Sequence, residues 1–203
     1  MKKLILLSVM FLFFYFNAQA QLKLGVGGGF SFIQSPDALT NQNGLDFNNE
    51  YHIGVKAKLS LPLLPFAPAG FINYHMLNGE GSSVAGNFES KSNIISLGLG
   101  GEMSLIPGPV SPYLSLDIAM NIINDIEVNF NNTNSTISLP GSNAYSDQSR
   151  FGLGLGAGAE ITLLPINFDL QLKYNFINLI GKKSGEESIG ILTLTAYVLF
   201  SSN

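Results

Sequence analysis

Cysteine and tryptophan are absent from this 203-residue chain, and charged residues make up only 12% of it. Without cysteine there can be no disulfide framework, no thiolate metal ligation, no cysteine nucleophile and no acylated N-terminal cysteine anchor. The scarcity of charge, about half the ~25% usual in soluble domains, argues against an ordinary water-soluble enzyme. Basic charge is scarcer still. Ten Lys and Arg against fourteen Asp and Glu give a net charge of -4 and an isoelectric point near 5.0, without the basic footprint of nucleic-acid binding. Apolar side chains are abundant, at 46% of residues, and with them come 22 glycines. So apolar a chain is not a disordered one.

The N-terminus reads as an export signal. Lys2 and Lys3 precede the apolar run Leu4 to Phe16, followed by Asn17-Ala18-Gln19-Ala20, a charged, apolar, small-residue order ending in an A-x-A cleavage site. Those 13 residues span only about 20 Å as a helix, short of the ~30 Å hydrocarbon core. Residues 1-20 are therefore a signal peptide cleaved near Ala20, and residues 21-203 a single mature domain. Loss of Lys2 and Lys3 takes its net charge from -4 to -6. No later stretch is a continuous 18-residue apolar helix, so any membrane insertion must use strands.

Eight segments alternate with period two: Leu22 to Phe32, Tyr51 to Leu61, Gly70 to Leu77, Ile94 to Leu105, Tyr113 to Ile123, Phe151 to Leu163, Phe168 to Phe176 and Ile189 to Phe200. Most exceed the ~5 to 6 residues of a globular strand and suit the ~9 to 11 of a tilted membrane-spanning one. Connections alternate too. Proline-bearing turns (Pro62 to Pro68, Ile106 to Pro112, Leu164 to Asn167) follow the second, fourth and sixth segments, and polar loops near 33-50, 78-93, 124-150 and 178-188 follow the others. This layout predicts an all-β fold, an eight-stranded antiparallel up-and-down transmembrane β-barrel with short periplasmic turns and longer extracellular loops. In the loop after the fifth strand, Ile126 to Phe130 and Ser135 to Leu139 are expected to form a hairpin above the membrane.

Alternation alone does not say which face meets lipid. The apolar face, including Leu24, Val26, Val55, Leu97, Leu99, Leu116, Ile118, Leu155 and Leu194, carries no charge. A Lys or Arg at the midplane of a barrel's lipid face costs about 2 to 4 kcal/mol. The opposite face carries Gly25, Gly27, Gly29, Gly98, Gly100, Gly152, Gly154, Gly156 and Gly158, which fits a crowded interior better than a soluble surface. Aromatics gather at segment ends as membrane girdles do: Phe30, Phe32, Tyr51, Tyr74, Phe151, Tyr174 and Phe176 at the loop end, Phe66, Phe168 and Phe200 at the turn end. Phe71, Ile94 and Ile191 interrupt the alternation.

The polar face then becomes a lumen holding Lys23, Lys56, Lys58 and Lys173 with Glu102, Asp117, Glu160 and Asp169, four charges of each sign. Charges out of bulk water must be paired, so the expectation is a plugged, hydrogen-bonded interior rather than a conducting pore. The other ten acids, with Lys91, Arg150, Lys182 and Lys183, fall to loops and rims as a hydrated acidic surface. His52 and His75 point inward by parity, diagonally placed near the extracellular rim. They are a candidate rim site that could share a metal or, with Glu50 or Ser96, polarise a hydroxyl, although rim hydrogen bonding is the simpler role. No G-x-S-x-G or H-E-x-x-H occurs, Gly25 to Gly29 lacks the helix of a dinucleotide site, and Asn131 and Asn134 open sequon matches that an Asn-rich loop yields cheaply. Neither a catalytic residue, a metal site nor a cofactor is expected.

The signal peptide, the eight amphipathic strands, the stretch GLGLGAGAEITL (Gly152 to Leu163) and the final strand ILTLTAYVLF (Ile191 to Phe200) together resemble small outer-membrane β-barrels of the OmpX and OmpA-transmembrane-domain type, in particular the Bacteroidetes-type outer-membrane β-barrel domain. The resemblance implies a bacterial outer-membrane location, contact with outer-membrane lipid, and insertion by the outer-membrane assembly machinery through a C-terminal strand ending in an aromatic. Here Phe200 is followed by Ser201-Ser202-Asn203. The expected function is that of a non-enzymatic barrel, structural or acting in adhesion or recognition through its loops, where an extracellular ligand of unknown identity would bind. The alternatives are a narrow channel or small-solute binder through the polar lumen and, further off, a lipid-modifying enzyme. Nucleic acid is not an expected partner.

Overall fold

In the computed structural model, the described residues are 21-40, 47-61, 64-83, 86-124, 127-130, 148-163, 166-183 and 186-201. The signal segment 1-20 and residues 131-147, which carry both sequon matches and Ser135 to Leu139, lie outside them. Among the described residues nine strands follow in order: β1 (Gln21–Ser35), β2 (Phe47–Ser60), β3 (Phe66–Ser83), β4 (Gly86–Ser104), β5 (Val110–Ile123), β6 (Glu127–Phe130), β7 (Gln148–Leu163), β8 (Ile166–Ile180) and β9 (Gly190–Ser201). A short helix, α1 (Asp37–Thr40), lies between β1 and β2. Every pairing is antiparallel. The ring runs β3-β2-β1-β9-β8-β7-β5-β4 and closes through β3 on β4, while β6 adds to β4 outside it. The result is a closed eight-stranded barrel with one extra short strand.

The alternation in sequence becomes the two faces of the wall. Along β5, Tyr113, Ser115, Asp117, Ala119, Asn121 and Ile123 are buried or nearly so, and the residues between them are exposed or half-buried. Leu99 and Ile118 are 69% and 64% exposed, which no soluble protein would repeat around a full belt of leucine, isoleucine and valine. Phe30, Phe32, Tyr51 and Phe151 face outward at the loop end of this belt, and Phe66, Phe168 and Phe200 at the turn end.

Inside, glycine makes room for large inward side chains on the neighbouring strand. A Cβ on Gly98 would lie 2.1 Å from the Phe71 ring, on Gly27 2.4 Å from the Tyr197 ring and on Gly158 2.4 Å from the Tyr113 ring. Phe71, Ile94 and Ile191, which interrupt the alternation in sequence, point inward without breaking the strands. An eight-stranded barrel must fill its own interior, and hydrocarbon serves as well as polar groups where no charge needs company.

Three boundaries differ from expectation. The segment 78-93, read as a polar loop, is mostly strand, because β3 and β4 pair from Phe66↔Met103 to Ser83↔Gly86. The turn after β2 is shorter than its prolines suggest. β3 starts at Phe66 and carries Pro68 opposite Gly101, as β5 carries Pro112 opposite Ala159. Glu127 to Phe130 does form a strand, but it pairs with β4 at Lys91↔Glu127 and leaves β5 behind.

Candidate functional site

Strand parity brings all eight predicted lumen charges onto the inward face, each less than one-tenth exposed. Toward the turn end they form one chain of alternating sign. Glu160 lies between Lys23 and Lys58 (2.8 Å to Lys58), Glu102 between Lys58 (2.7 Å) and Lys56, and Asp169 between Lys56 (2.5 Å) and the Tyr113 hydroxyl, which donates to it at 2.6 Å. Higher up, Lys173 pairs with Asp117 at 3.2 Å, and its ammonium lies 3.7 Å from the centre of the Phe71 ring. The Lys56 ammonium sits 5.4 and 5.2 Å from the Tyr113 and Tyr197 rings. Desolvating an ion costs several kcal/mol unless partners surround it, and each carboxylate here has them. Tyr113 and Tyr197 complete this tier, although the alternation of their strands already faced them inward.

The two histidines are deeper than a rim. They are direct register partners, His52↔His75, with ring centroids 5.1 Å apart, and Ser31 bridges them. The Ser31 hydroxyl lies 2.9 Å from His52 Nδ1 and 3.0 Å from His75 Nδ1, while His52 Nε2 lies 2.8 Å from the Thr195 hydroxyl. One hydroxyl has one proton to give and two lone pairs to accept with, so it can donate to at most one Nδ1, and at least one of the two imidazoles carries its proton on Nδ1. A serine between two imidazoles is the outline of an activated nucleophile. Yet Ser31, His52 and His75 are only 2%, 1% and 3% exposed, so no substrate reaches the hydroxyl in this conformation. Glu50 and Ser96, the sequence candidates for partners, are not the residues that meet the imidazoles. Ser31 is, and a serine inside a strand carries no signal of that role. Among the described residues no group of three His, Cys, Asp or Glu could hold a metal ion.

Above the histidines the interior turns apolar. Ile33, Leu77, Ile94, Ile123, Ile177 and Ile191 converge from six strands, and Leu39 of α1, Phe47, Phe88, Val128 and Ile189 close over them. Beside this plug, between β7 and the connection from β8 to β9, sits a buried polar pin. Arg150, the chain's one arginine and 0% exposed, donates from Nε and Nη2 to the Glu186 carboxylate at 2.8 to 3.0 Å. Asn178 donates to Glu186 at 2.7 Å and accepts from the Ile189 N–H at 2.7 Å, and the Lys183 N–H adds 2.9 Å to the same carboxylate. Burial alone would raise the Glu186 carboxyl, but the bonds from Arg150, Asn178 and Lys183 hold it below the usual carboxylate range. Glu50 is its opposite. One oxygen accepts the Ile33 N–H at 3.0 Å, the other is buried without a hydrogen-bond partner among the described residues, and burial pushes the carboxyl up to about 8.

Arg150, Glu186 and Glu50 therefore leave the hydrated rim to which the sequence assigned them. Carrying the parity of β7 back one step from Gly152, and of β2 from His52, would have turned Arg150 and Glu50 inward. A vestibule of about 380 Å³ opens at the turn end beside Lys23, Lys58, Glu102 and Glu160, and small cavities of about 20 and 10 Å³ lie along mid-lumen side chains.

Comparison with known proteins agrees with this geometry. The family described as outer membrane protein beta-barrel domain matches residues 4-196. No curated protein sequence matches. Among solved structures, Neisserial surface protein A aligns with a TM-score of 0.54 at 16% identity, over 89% of this chain and 96% of that one. A major outer membrane protein from Thermus thermophilus aligns with a TM-score of 0.58 at 14% identity, over 90% and 99%. At such identities the likeness concerns the fold.

Proposed function

Because the chain belongs to the outer membrane protein beta-barrel domain family, we propose that it is a non-enzymatic outer-membrane barrel whose interior is structural and whose work is done on its extracellular side. The observation that carries this reading is the cap. Among the described residues an apolar plug, flanked by the buried Arg150–Glu186 pair, fills the loop end of the lumen. Neither an ion nor a solute crosses such a plug without moving it, since transferring a charge into hydrocarbon is prohibitive. Each charge of the polar network beneath it has an internal partner of opposite sign.

What faces outward is long. From Tyr74 in the aromatic belt, β3 continues nine residues to Ser83 in register with β4, about 30 Å of strand path at ~3.3 Å per residue. Such a paired hairpin is suited to adhesion or recognition or to bracing neighbouring surface molecules. The signal peptide, cleavage near Ala20 and insertion by the outer-membrane assembly machinery belong to the same proposal.

Planar-bilayer recording of the refolded protein tests it. The expected result is a silent bilayer with wild type and conductance steps once Arg150→Ala is combined with Ile191→Ser. Steady steps from wild type would overturn the closed-lumen reading and favour a channel. Replacing residues 79-90 by a two-residue turn should leave outer-membrane recovery intact and abolish any surface-binding phenotype.

A further inference from the structure

Toward the loop end, the wall carries a seam. The β1–β2 ladder stops at Phe30↔Tyr51, yet both strands run on, β1 paired with β9 as far as Ser35↔Gly190 and β2 paired with β3 as far as Phe47↔Gly79. Above Phe30 and Tyr51 these two neighbours have no register partners in each other, and each is left with a strand edge whose backbone groups need satisfying. One side chain spans the seam. Glu50 of β2 accepts the Ile33 N–H of β1 at 3.0 Å through Oε2, in the place of the backbone carbonyl that a continued ladder would supply.

Little else holds this carboxyl. Glu50 is 4% exposed, and its Oε1 is buried without a hydrogen-bond partner among the described residues. Around it lies the edge of the apolar plug: Leu77 is its register partner on β3, Ile33 its neighbour on β1, and α1, which packs on both β1 and β2, brings in Leu39. The ionisable groups of these elements do not compensate it. His52 and His75, one inward step below on β2 and β3, are bonded to Ser31, and Lys56 and Lys58 of β2 belong to the network at the turn end. Asp37 of α1 and Glu80 of β3 are exposed, and the one charge on β1, Lys23, sits at the far end of the strand with Glu160. A neutral carboxyl tolerates such surroundings, and burial accordingly raises this one to about 8. A carboxylate with a single N–H for company does not.

We propose that the Glu50 carboxyl is a latch on this seam: neutral, it ties β2 to β1 beside the apolar plug, and ionised, it leaves for water and frees the two strand edges to part. Proton loss puts a full charge beside Leu77 and Leu39, and the carboxylate is relieved by exchanging the Ile33 N–H for water, which breaks the bond across the seam. Below Phe30↔Tyr51 the ladder is unbroken, so the opening is local. The latch rests on the closed-lumen reading for its shut state and goes beyond it by naming where, and under what conditions, the loop end opens.

The lack of cysteine supplies the test, because an introduced thiol stands alone in the chain. Ile191→Cys places it in the plug, fully buried and opposite Ile33 on β9, clear of the Glu50 bond. Its modification by a charged methanethiosulfonate is timed on the full folded protein in liposomes, from about pH 6 to about pH 9. The thiol's own ionisation also speeds the reaction, so each rate is divided by that of the same protein carrying Glu50→Gln. The ratio should be close to one at the acid end and rise about tenfold one pH unit beyond the carboxyl's titration. Glu50→Leu is a second uncharged reference and should give the same rise, while heat-modifiable gel mobility at each pH reports whether the barrel is intact. A flat ratio with slow labelling overturns the latch and leaves the closed lumen standing. An equal rise at Ala119→Cys, on the inward face of β5, also overturns it, since the barrel would then be loosening as a whole. Fast labelling at every pH, with or without Glu50, overturns the closed-lumen reading and the latch together.

Discussion

The two ends of the lumen are filled by opposite means. At the turn end, seven of the inward groups are ions or phenols in one chain from Lys23 through Glu160, Lys58, Glu102 and Lys56 to Asp169 and Tyr113. At the loop end, isoleucines from several strands meet under a cap held by one ion pair. Hydrocarbon packs without needing a partner of defined sign, so the upper end tolerates change in small steps. A chain of alternating charges does not, because removing one member strands its neighbours. The comparison implies that fold integrity is concentrated below and that access to the lumen is decided above.

Lys56→Met should be the most damaging single change, since it leaves Asp169 with the Tyr113 hydroxyl alone and Glu102 with one cation. A loss of about 3 to 5 kcal/mol is expected in urea unfolding followed by gel mobility. Adding Glu102→Gln and Asp169→Asn should restore much of it. If the triple variant is as unstable as the single one, charge compensation is not what the lower end contributes.

Arg150→Ala should act locally and by a smaller global amount. With the Glu186 carboxylate unpaired, the segment from Lys182 to Ile189 should lift, and trypsin should cut after Lys182 and Lys183 on intact cells much faster than in wild type. Acid should mimic the variant. A carboxylate held below its ordinary value contributes stability that is present above that value and is lost as pH falls through the lowered one, so the wild-type cap should loosen below about pH 4. Unchanged cleavage rates would mean that the apolar plug alone holds the cap.

Glu50→Gln reports on the plug from the opposite sign. Glu50 lies one residue beyond the Tyr51 belt, buried and raised to about 8. A carboxyl that folds neutral contributes least where the unfolded chain ionises, so wild-type stability should fall as pH rises from the ordinary carboxylate range to about 8. The variant should lack that slope and be more stable at pH 7, by on the order of a kcal/mol. Parallel pH profiles would place Glu50 in water. Lys91→Ala, by contrast, removes an exposed 3.5 Å pair with Glu89 and should shift stability by less than about 0.5 kcal/mol.

Legibility follows the same division. The lower network could be read residue by residue, because a charge on a period-two face is conspicuous and must find company. The upper plug could not, because Ile94 and Ile191 look like errors of alternation when only polar residues are expected inside. The histidines were legible as inward, but their meeting at Ser31 depends on the β1–β2 and β2–β3 registers together, which no local pattern encodes. Likewise the extension of β3 and β4 through a polar, serine-rich stretch comes from cross-strand pairing, which overrides weak local propensity.

The sequence by itself determined the strands, their two faces, the aromatic belts, the charge balance of the lumen and the membership of a membrane-barrel class. These follow from side-chain period and from the cost of placing charge in hydrocarbon, which act on each strand separately. Tertiary structure alone decided which charges pair, that Arg150 and Glu186 meet, and that β6 joins β4. Those features depend on strand register and on the closing of β3 against β4, and a one-residue slip in either would exchange every partner while leaving the sequence pattern unchanged.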